Sequence, residues 1–493
     1  MKKSILLILF ILAAVPYNAS SQTETTVLKA MHEISSHDIL KYVEEQCDPK
    51  YAGRLTGTDE YNLCASWLAG ELSSWGVKPA GDNGGWYQWF DIPYTLISPD
   101  CGVTLHIPLK KGDTLLKHYN YVTEYMPGST SGSGEVTAEV VYAGYGISAP
   151  ELGYDDYADI DVKGKIVLLE RESPVGPGAG KEKFDPWFPY SFHQYKIKQA
   201  YAKGAIGMLY NYGPIANPNN DYIEGFVYVH VGDTVVKDIF AGTGKTHKSI
   251  VEGINKNLKP ASFSTGKTVT IKMTTQHFPK GRGNSVIGLL EGSDPDLKDE
   301  LIIIGAHLDH MGMCYDLIPG ANDNASAVAV MMAVAKALAT NNIEIKRSIM
   351  FLAFGAEEQG ILGAKRYLEN PLFPLEKSVL LNMDGVGIGH AIAATAGKNW
   401  PKLYSAFEEA NNSYIHRPLS PNSFSNLGRP RLDAARFLTA GVPSLSFYTY
   451  GSTSYYHVPG DNMDIIKPEI MEDMARLLFL ATVKLANSES EIR

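Results

Sequence analysis

Residues 301–310 read LIIIGAHLDH, an apolar run about as long as one buried strand that ends in two histidines and an acid. Three more short apolar runs follow, at residues 348–354, 379–383 and 442–448. Helical patterns alternate with them at residues 326–340, 362–368, 403–411 and 468–486. This alternation predicts an α/β fold in which a mixed open sheet is flanked by helices. Ligands bind outside the carboxyl ends of the strands in such sheets, so polar side chains just after each strand are the candidates for function.

Imidazole and carboxylate groups follow these strands at five places. They are His307 and Asp309, Asp323 before the 326–340 helix, the pair Glu357 and Glu358, then Asp384, and last His457. Taken singly, each residue has an ordinary explanation, such as a helix N-cap or a solvated turn. Their convergence on one edge of one sheet favours a metal site instead. Nitrogen and oxygen ligands without thiolates suit zinc, and the number of ligands suggests two ions.

The residue types suggest how two zinc ions would be held. Ions about 3.5 to 4 Å apart need a bridging anion, and we expect the Asp323 carboxylate to supply it. We expect His307 and Asp384 to hold one ion and Glu358 and His457 to hold the other.

Three neighbouring residues remain to be explained. We expect the Asp309 side chain to accept the second ring N–H of His307, which would fix the tautomer of that ligand. Glu357, beside a ligand, is placed to act as the general base. Alternation along an extended strand end predicts that His310 points away from His307 and Asp309.

The same segments resemble the five motif blocks of the bacterial di-zinc aminopeptidases. The blocks are residues 305–310, 319–327, 354–360, 382–385 and 456–461. The wider superfamily includes glutamate carboxypeptidase II, transferrin receptor and glutaminyl cyclases. The resemblance implies the same five ligands and the same base, and a tyrosine near the last ligand that stabilises the oxyanion. Tyr448, Tyr450, Tyr455 and Tyr456 are all available for that role.

One stretch departs from the family pattern. Where many members have Ser-Asp-His before the last strand, this chain has Leu432-Asp433-Ala434. The acid is kept and the imidazole is missing, which leaves the five metal ligands intact.

A second domain is predicted inside the first. The Gly/Ser stretch at 128–134 marks a boundary, and the strand–helix pattern after it resembles a protease-associated domain. Helices are predicted at 36–40 and 60–75 in the N-terminal region, where residues 52–58 resemble the opening segment of the family. The predicted organisation is a signal peptide (1–21), the N-terminal part of the catalytic domain (22–127), a protease-associated insert (128–264) and the di-zinc catalytic domain (265–493).

Composition and the N-terminus limit the partners and the compartment. The chain has 44 Lys+Arg against 54 Asp+Glu and no basic run, which argues against nucleic-acid and anionic-membrane partners. Lys2 and Lys3 precede an apolar run that is typical of a secretory signal peptide. No later apolar stretch is long enough to span a bilayer, so we expect an exported protein, periplasmic rather than fully secreted. The oligomeric state stays open.

The four cysteines are expected to be structural. Cys47, Cys64, Cys101 and Cys314 are too few for a disulfide scaffold, and none has Cys-x-x-Cys spacing. One or two bridges, among them Cys47 with Cys64, and buried free thiols are both compatible with the sequence.

These inferences predict an exported di-zinc aminopeptidase that hydrolyses the N-terminal residue of peptides with a free amino terminus. A carboxypeptidase of the glutamate carboxypeptidase type would need a cationic pocket, for which Arg429, Arg431 and Arg436 are available. A glutaminyl cyclase would need one zinc ion, and a receptor-like protein would need no intact ligands. The preferred N-terminal side chain stays open.

Overall fold

The computed structural model describes residues 19–110, 112–425 and 431–493. Most of the predicted signal peptide, residues 1–18, therefore lies outside the described residues. The rest forms two large β-sheets with helices packed on them and one two-stranded sheet, which confirms the predicted α/β class.

The larger sheet is mixed. Its strands, in order across the sheet, are Asp316–Leu317, Met313–Cys314, Tyr87–Ile97, Thr275–Leu290, Ser348–Phe354, Leu301–His307, Ser378–Met383, Ser444–Tyr450, Ala391–Thr395 and Leu419–Pro421, and Lys78–Pro79 also pairs with Thr275–Leu290. The four strands from Ser348–Phe354 to Ser444–Tyr450 run parallel to one another. Their carboxyl ends therefore meet at one edge of the sheet.

Helices cover both faces of this sheet. They are Ala19–Glu33, Ser36–Gln46, Asp59–Ser74, Ser326–Thr340, Leu362–Glu369, Pro401–Ala410, Asp433–Thr439 and Pro468–Asn487. Ile302 and Ile304 pack into the apolar core that includes the Ser326–Thr340 and Pro468–Asn487 helices, whereas Leu301 and Ile303 pack into the core on the opposite face. This alternation is the reason why the strand reads as a continuous apolar run: both of its faces are buried.

The smaller sheet forms the second domain. Its strands, in order across the sheet, are Thr114–His118, Gly102–Pro108, Phe263–Met273, Gly134–Tyr142, Ile166–Glu170, Gly207–Asn211, Val227–Val231 and Tyr125–Pro127. The helices of this region are Lys181–Phe184, His193–Ala202, Asp233–Phe240 and His247–Asn257, and Ser148–Ala149 pairs with Tyr154–Asp155. The sheet extends past both ends of the predicted 128–264 insert because strands at 102–127 and 263–273 pair with its core strands.

Several element boundaries differ from the sequence-based expectation, and two of the differences have a clear physical reason. The helix predicted at 36–40 continues to Gln46, because Ile39 and Val43 lie one turn apart and are both buried. The fourth strand begins at Ser444 instead of residue 442, because Pro443 has no backbone N–H to donate to a neighbouring strand.

The cysteines and the helices bear on two further predictions. All four cysteines are free thiols, with Cys64 and Cys314 buried, so the bridges that the sequence left open are not formed. Within the described part of the chain, no helix is both long enough and apolar enough to cross a bilayer.

Candidate metal centre

The ends of the parallel strands bring the predicted site residues together. His307 is the last residue of its strand, Glu357 and Glu358 follow the strand Ser348–Phe354, and Asp384 follows Ser378–Met383. Asp323 lies in the tight turn Ala321–Ala325, which leads directly into the buried helix Ser326–Thr340. His457 comes from the loop after the strand Ser444–Tyr450.

The Asp323 carboxylate lies between the two histidines. Its Oδ1 atom is 3.2 Å from His307 Nε2, and its Oδ2 atom is 3.4 Å from His457 Nε2. Asp384 Oδ1 lies 3.7 Å from His307 Nε2, and Glu358 Oε2 lies 3.1 Å from His457 Nε2. Each imidazole thus has a carboxylate of its own and shares the Asp323 carboxylate with the other imidazole.

The donor set fits metal ions. Ligand atoms converge within 4.8 Å in three groups: His307 with Asp323 and Asp384, His307 with Glu357 and Glu358, and His310 with Asp323 and Glu358. His457 Nε2 is buried and has no hydrogen-bond partner among the described residues, although its ring faces two carboxylates. An imidazole nitrogen that faces carboxylate oxygens at this spacing belongs to a donor set that a divalent cation can bind.

The electrostatics divide the acids into two kinds. Although burial alone would raise the pKa of Asp323, its contacts with His307 and His457 hold that pKa well below the ordinary value. Burial raises the pKa of Glu357 well above the ordinary value, and the charge of Glu358 adds to the rise. Asp323 is therefore suited to stay ionised, as a ligand must, whereas Glu357 is suited to hold a proton.

Asp309 contacts His307 differently from the prediction. His307 Nδ1 lies 3.1 Å from the backbone carbonyl of Asp309 and 3.8 Å from its carboxylate. The carboxylate instead accepts the backbone N–H groups of Glu357, at 3.1 Å, and Glu358, at 3.2 Å. The chain leaves the strand after His307, so the main chain of Asp309 reaches the ring first and its side chain holds the neighbouring loop.

His310 does not point away from the site, and that expectation was wrong. Its Nδ1 atom lies 2.9 Å from Glu358 Oε1, on the opposite oxygen from the one that faces His457. The strand ends at His307, so strand alternation does not extend to His310. The ring packs against Gly320, whose φ is +61° and where a Cβ atom would lie 2.4 Å from His310 Cγ.

Two residues that the sequence reasoning gave no role hold the ligand loops. The Asp461 carboxylate accepts the backbone N–H groups of Asn322, at 2.7 Å, and Asp323, at 3.0 Å. The buried Arg54 guanidinium donates to the carbonyl oxygens of Gln46, Leu308, Pro319 and Gly320. Both residues lie inside the motif blocks at 456–461 and 52–58, which was the only signal available in the sequence.

Of the four available tyrosines, Tyr456 lies against the ligands. Its ring stacks on the His457 ring, with centroids 3.5 Å apart and planes 21° apart. Desolvation of its hydroxyl group raises its pKa well above the ordinary value, and the carboxylates of Glu358 and Asp323 add to the rise. The Tyr448 hydroxyl accepts a hydrogen bond from Asn422 at 3.0 Å. Tyr450, Tyr455 and Tyr456 are all exposed, so the stacking on His457 is what distinguishes Tyr456.

Comparison with known proteins bears on what the site is. Residues 285–482 match the family model "Peptidase family M28", and residues 136–238 match the model "PA domain". Aminopeptidase YwaD of Bacillus subtilis is 26% identical over 366 residues, which are 70% of this chain and 69% of that protein. The family match includes all five predicted ligands, and the PA match lies inside the predicted insert.

Solved structures show the same fold. The superposition on an aminopeptidase from Aneurinibacillus sp. strain AM-1 includes 95% of this chain and 97% of that protein, with a TM-score of 0.64 and 18% sequence identity. The superposition on a zinc aminopeptidase from Bacillus subtilis includes 93% of this chain and 97% of that protein, with a TM-score of 0.61 and 20% sequence identity. Residues 285–482 therefore form a peptidase family M28 segment, a PA domain lies ahead of it in the chain, and the protein is a metallo-aminopeptidase.

Proposed function

We propose that this enzyme holds two zinc ions and removes the N-terminal residue of peptides that have a free amino terminus. His307 and Asp384 would hold one ion, Glu358 and His457 the other, and Asp323 both. The observation that carries this proposal is the position of the Asp323 carboxylate, whose two oxygens face two different imidazoles. A single-ion site would leave one of these pairs without a function.

Zinc ions bound here would supply a water of lowered pKa and polarise the scissile carbonyl. The Glu357 carboxylate, beside His307 and Glu358, is placed to take the proton of the attacking water. The same carboxyl group can then return that proton to the nitrogen of the leaving amine. Asp309 supports this transfer, because its carboxylate fixes the backbone of Glu357.

Tyr456, stacked on His457, is placed to donate a hydrogen bond to the oxyanion that forms on the substrate carbonyl. The charges around the ligands favour the amino end of the substrate. The acids around the ligands, among them Glu357 and Asp433, suit an ammonium group more than a carboxylate. Arg431 contacts Glu172 at 3.3 Å, and Arg436 donates to the Gly360 carbonyl at 2.8 Å and lies beside the acids Asp433 and Glu357. Arg429 lies outside the described residues.

Hydrolysis of aminoacyl chromogenic amides tests the proposal. We expect activity to disappear on chelation and to return when two equivalents of zinc per chain are added. Glu357→Gln should lower kcat by about 10²- to 10⁴-fold with zinc content unchanged, because it removes the base and keeps the ligands. Glu376→Gln, on the exposed surface, is the matched control. Zinc-loaded protein that turns over C-terminal dipeptides and no free-amine substrate would contradict the proposal.

Export is part of the proposal. Lys2, Lys3 and the apolar run after them have the composition of a secretory signal. We expect the mature protein to begin near residue 22 and to be found outside the cytoplasm. N-terminal sequencing of the natural protein after cell fractionation checks both points, and a cytoplasmic protein that keeps its first 21 residues would contradict them.

A further inference from the structure

We propose that the PA domain completes the metal centre: the backbone carbonyl of Ala216 holds the ring of His457 in the tautomer that can bind zinc. Ala216 is buried and lies within the PA domain, between the strands Gly207–Asn211 and Val227–Val231. This inference rests on the proposed function, because it assigns a positioning role toward one of the two proposed zinc ions.

Two hydrogen bonds join Ala216 to His457. The His457 ring nitrogen Nδ1 lies 3.0 Å from the Ala216 carbonyl oxygen, and the Ala216 N–H donates to the His457 carbonyl oxygen at 3.0 Å. A carbonyl oxygen can only accept, so Nδ1 carries the ring proton. The lone pair is then on Nε2, the atom that faces Asp323 and Glu358.

The two proposed histidine ligands differ in where this support comes from. The acceptor for His307 Nδ1 is the carbonyl of Asp309, two residues further along the same strand end. The acceptor for His457 Nδ1 is 241 residues away in sequence and belongs to another domain. His457 also has a φ of +58°, a backbone conformation that costs free energy for a side chain of its size. Its position therefore depends on contacts from outside its own loop.

The PA segment around Ala216 is itself held in place. Buried His230 lies with Nδ1 2.6 Å from the carbonyl oxygen of Ile215, the residue before Ala216. On the other side, the N–H of Asn217 donates to the Ser129 hydroxyl at 3.0 Å. Removing either of these two hydrogen bonds should allow the Ala216 carbonyl to move. Neither substitution would change a proposed zinc ligand.

Zinc affinity measured by competition with a chromogenic chelator tests the inference. In His230→Leu, we expect the dissociation constant of the His457-containing site to rise about 10- to 100-fold and that of the other site to change less than twofold. The same titration is repeated with Asp384→Asn, which weakens the His307-containing site. The comparison identifies which of the two zinc-binding steps has the changed dissociation constant. His230→Asn, whose amide N–H can replace Nδ1–H, should restore affinity, and this rescue distinguishes positioning from a general loss of stability.

A matched control and a second variant keep the test decisive. His106→Leu removes an imidazole near the opposite end of the same sheet, where the ring hydrogen-bonds Thr270 Oγ1. This variant should leave both zinc affinities unchanged. If His230→Leu does not fold, Ser129→Ala is the milder variant, with the same direction of effect. Folded His230→Leu and Ser129→Ala proteins with wild-type affinity at both sites would overturn the inference.

A measurement on the zinc-free enzyme separates this inference from the proposed function. Nitrogen NMR of histidine-labelled protein should show a proton on His457 Nδ1, hydrogen-bonded to a carbonyl, in the wild type, and a weakened Nδ1–H hydrogen bond in His230→Leu. A wild-type protein that binds fewer than two zinc ions would reject the proposed function, whereas a His457 ring without a proton on Nδ1 would reject the positioning role.

Discussion

Asp323 joins the two halves of the proposed site. Its oxygens lie 3.2 Å and 3.4 Å from two different imidazole nitrogens, whereas Asp384 and Glu358 each face one. Asp461 and the buried helix Ser326–Thr340 hold the turn that presents it. A change at Asp323 should therefore affect both ions, and a change at Asp384 only one.

Asp323→Asn and Asp384→Asn make this difference measurable. We expect Asp323→Asn to lower zinc affinity at both sites, because it removes the shared negative charge. Asp384→Asn should lower affinity at one site and leave the second at its wild-type value. Metal content and chelator competition on the purified variants check the prediction, and loss of only one ion in Asp323→Asn would contradict the shared-carboxylate geometry.

At the scale of elements, Arg54 ties three segments together beneath the metal centre. Its guanidinium donates to the end of the helix Ser36–Gln46, to the residue after the strand Leu301–His307, and to the loop before the turn Ala321–Ala325. Only a planar group with several N–H donors can reach all of these carbonyls at once.

Arg54→Lys keeps the charge and loses this reach. We expect the free energy of unfolding to fall by on the order of 3 kcal/mol, because buried carbonyls lose their donors. Urea unfolding of the zinc-free proteins checks the value. Arg431→Lys, on the exposed surface, is the control and should unfold as the wild type does. Equal midpoints for Arg54→Lys and the wild type would show that the guanidinium contacts contribute little.

The second element-scale prediction concerns His247, the first residue of the helix His247–Asn257, and Glu170, the last residue of the strand Ile166–Glu170. His247 Nε2 lies 2.7 Å from Glu170 Oε1, and this hydrogen bond raises the pKa of His247. The folded protein thus binds a proton more tightly than the unfolded chain. The resulting stabilisation is fully present below the unfolded pKa of about 6.5 and is lost as the pH rises through the raised folded value.

Comparison with His247→Asn isolates this contribution from other titrating groups. The difference in unfolding free energy between the wild type and the variant should be largest below the unfolded pKa of about 6.5 and should shrink as the pH rises above it, because the folded pKa of His247 is raised. Urea titrations below and above that unfolded pKa provide the measurement. A difference that grows with pH, or that does not depend on it, would contradict the assignment.

At the scale of the whole molecule, one of the apolar clusters contains residues of both sheets. Met311, Cys314 and Ile318 of the peptidase segment pack in the same buried cluster as Val227 and Val229 of the PA domain. The strands Phe263–Met273 and Thr275–Leu290 also follow each other with one residue between them and lie in different sheets. The two domains are thus linked by packing as well as by the contact between Ala216 and His457.

This shared core predicts cooperative unfolding. Leu209→Ala in the smaller sheet and Ile303→Ala in the larger one each remove a buried side chain, at a cost of about 2–5 kcal/mol. We expect both variants to lower the midpoint of a single calorimetric transition. Two separate transitions, with each variant shifting only its own, would show that the domains unfold independently.

Much of this protein follows from local patterns. Alternating apolar runs and helical periods predict the strands Leu301–His307 and Ser348–Phe354 and the helix Ser326–Thr340, because burial on a regular backbone leaves a regular trace in the sequence. The same patterns place the proposed ligands at one sheet edge, since parallel strands end together.

Contacts between distant segments were decided only by the packed molecule. The sequence contains His310, Asp461 and Ala216, but nothing near them indicates that they contact Glu358, Asp323 and His457. Two of the supporting groups, on Asp309 and Ala216, are backbone carbonyls. Every residue has a backbone carbonyl, so these contacts cannot be recognised from the residue type. The identity of the proposed ligands is therefore local information, whereas the orientation of their rings depends on how the two domains pack.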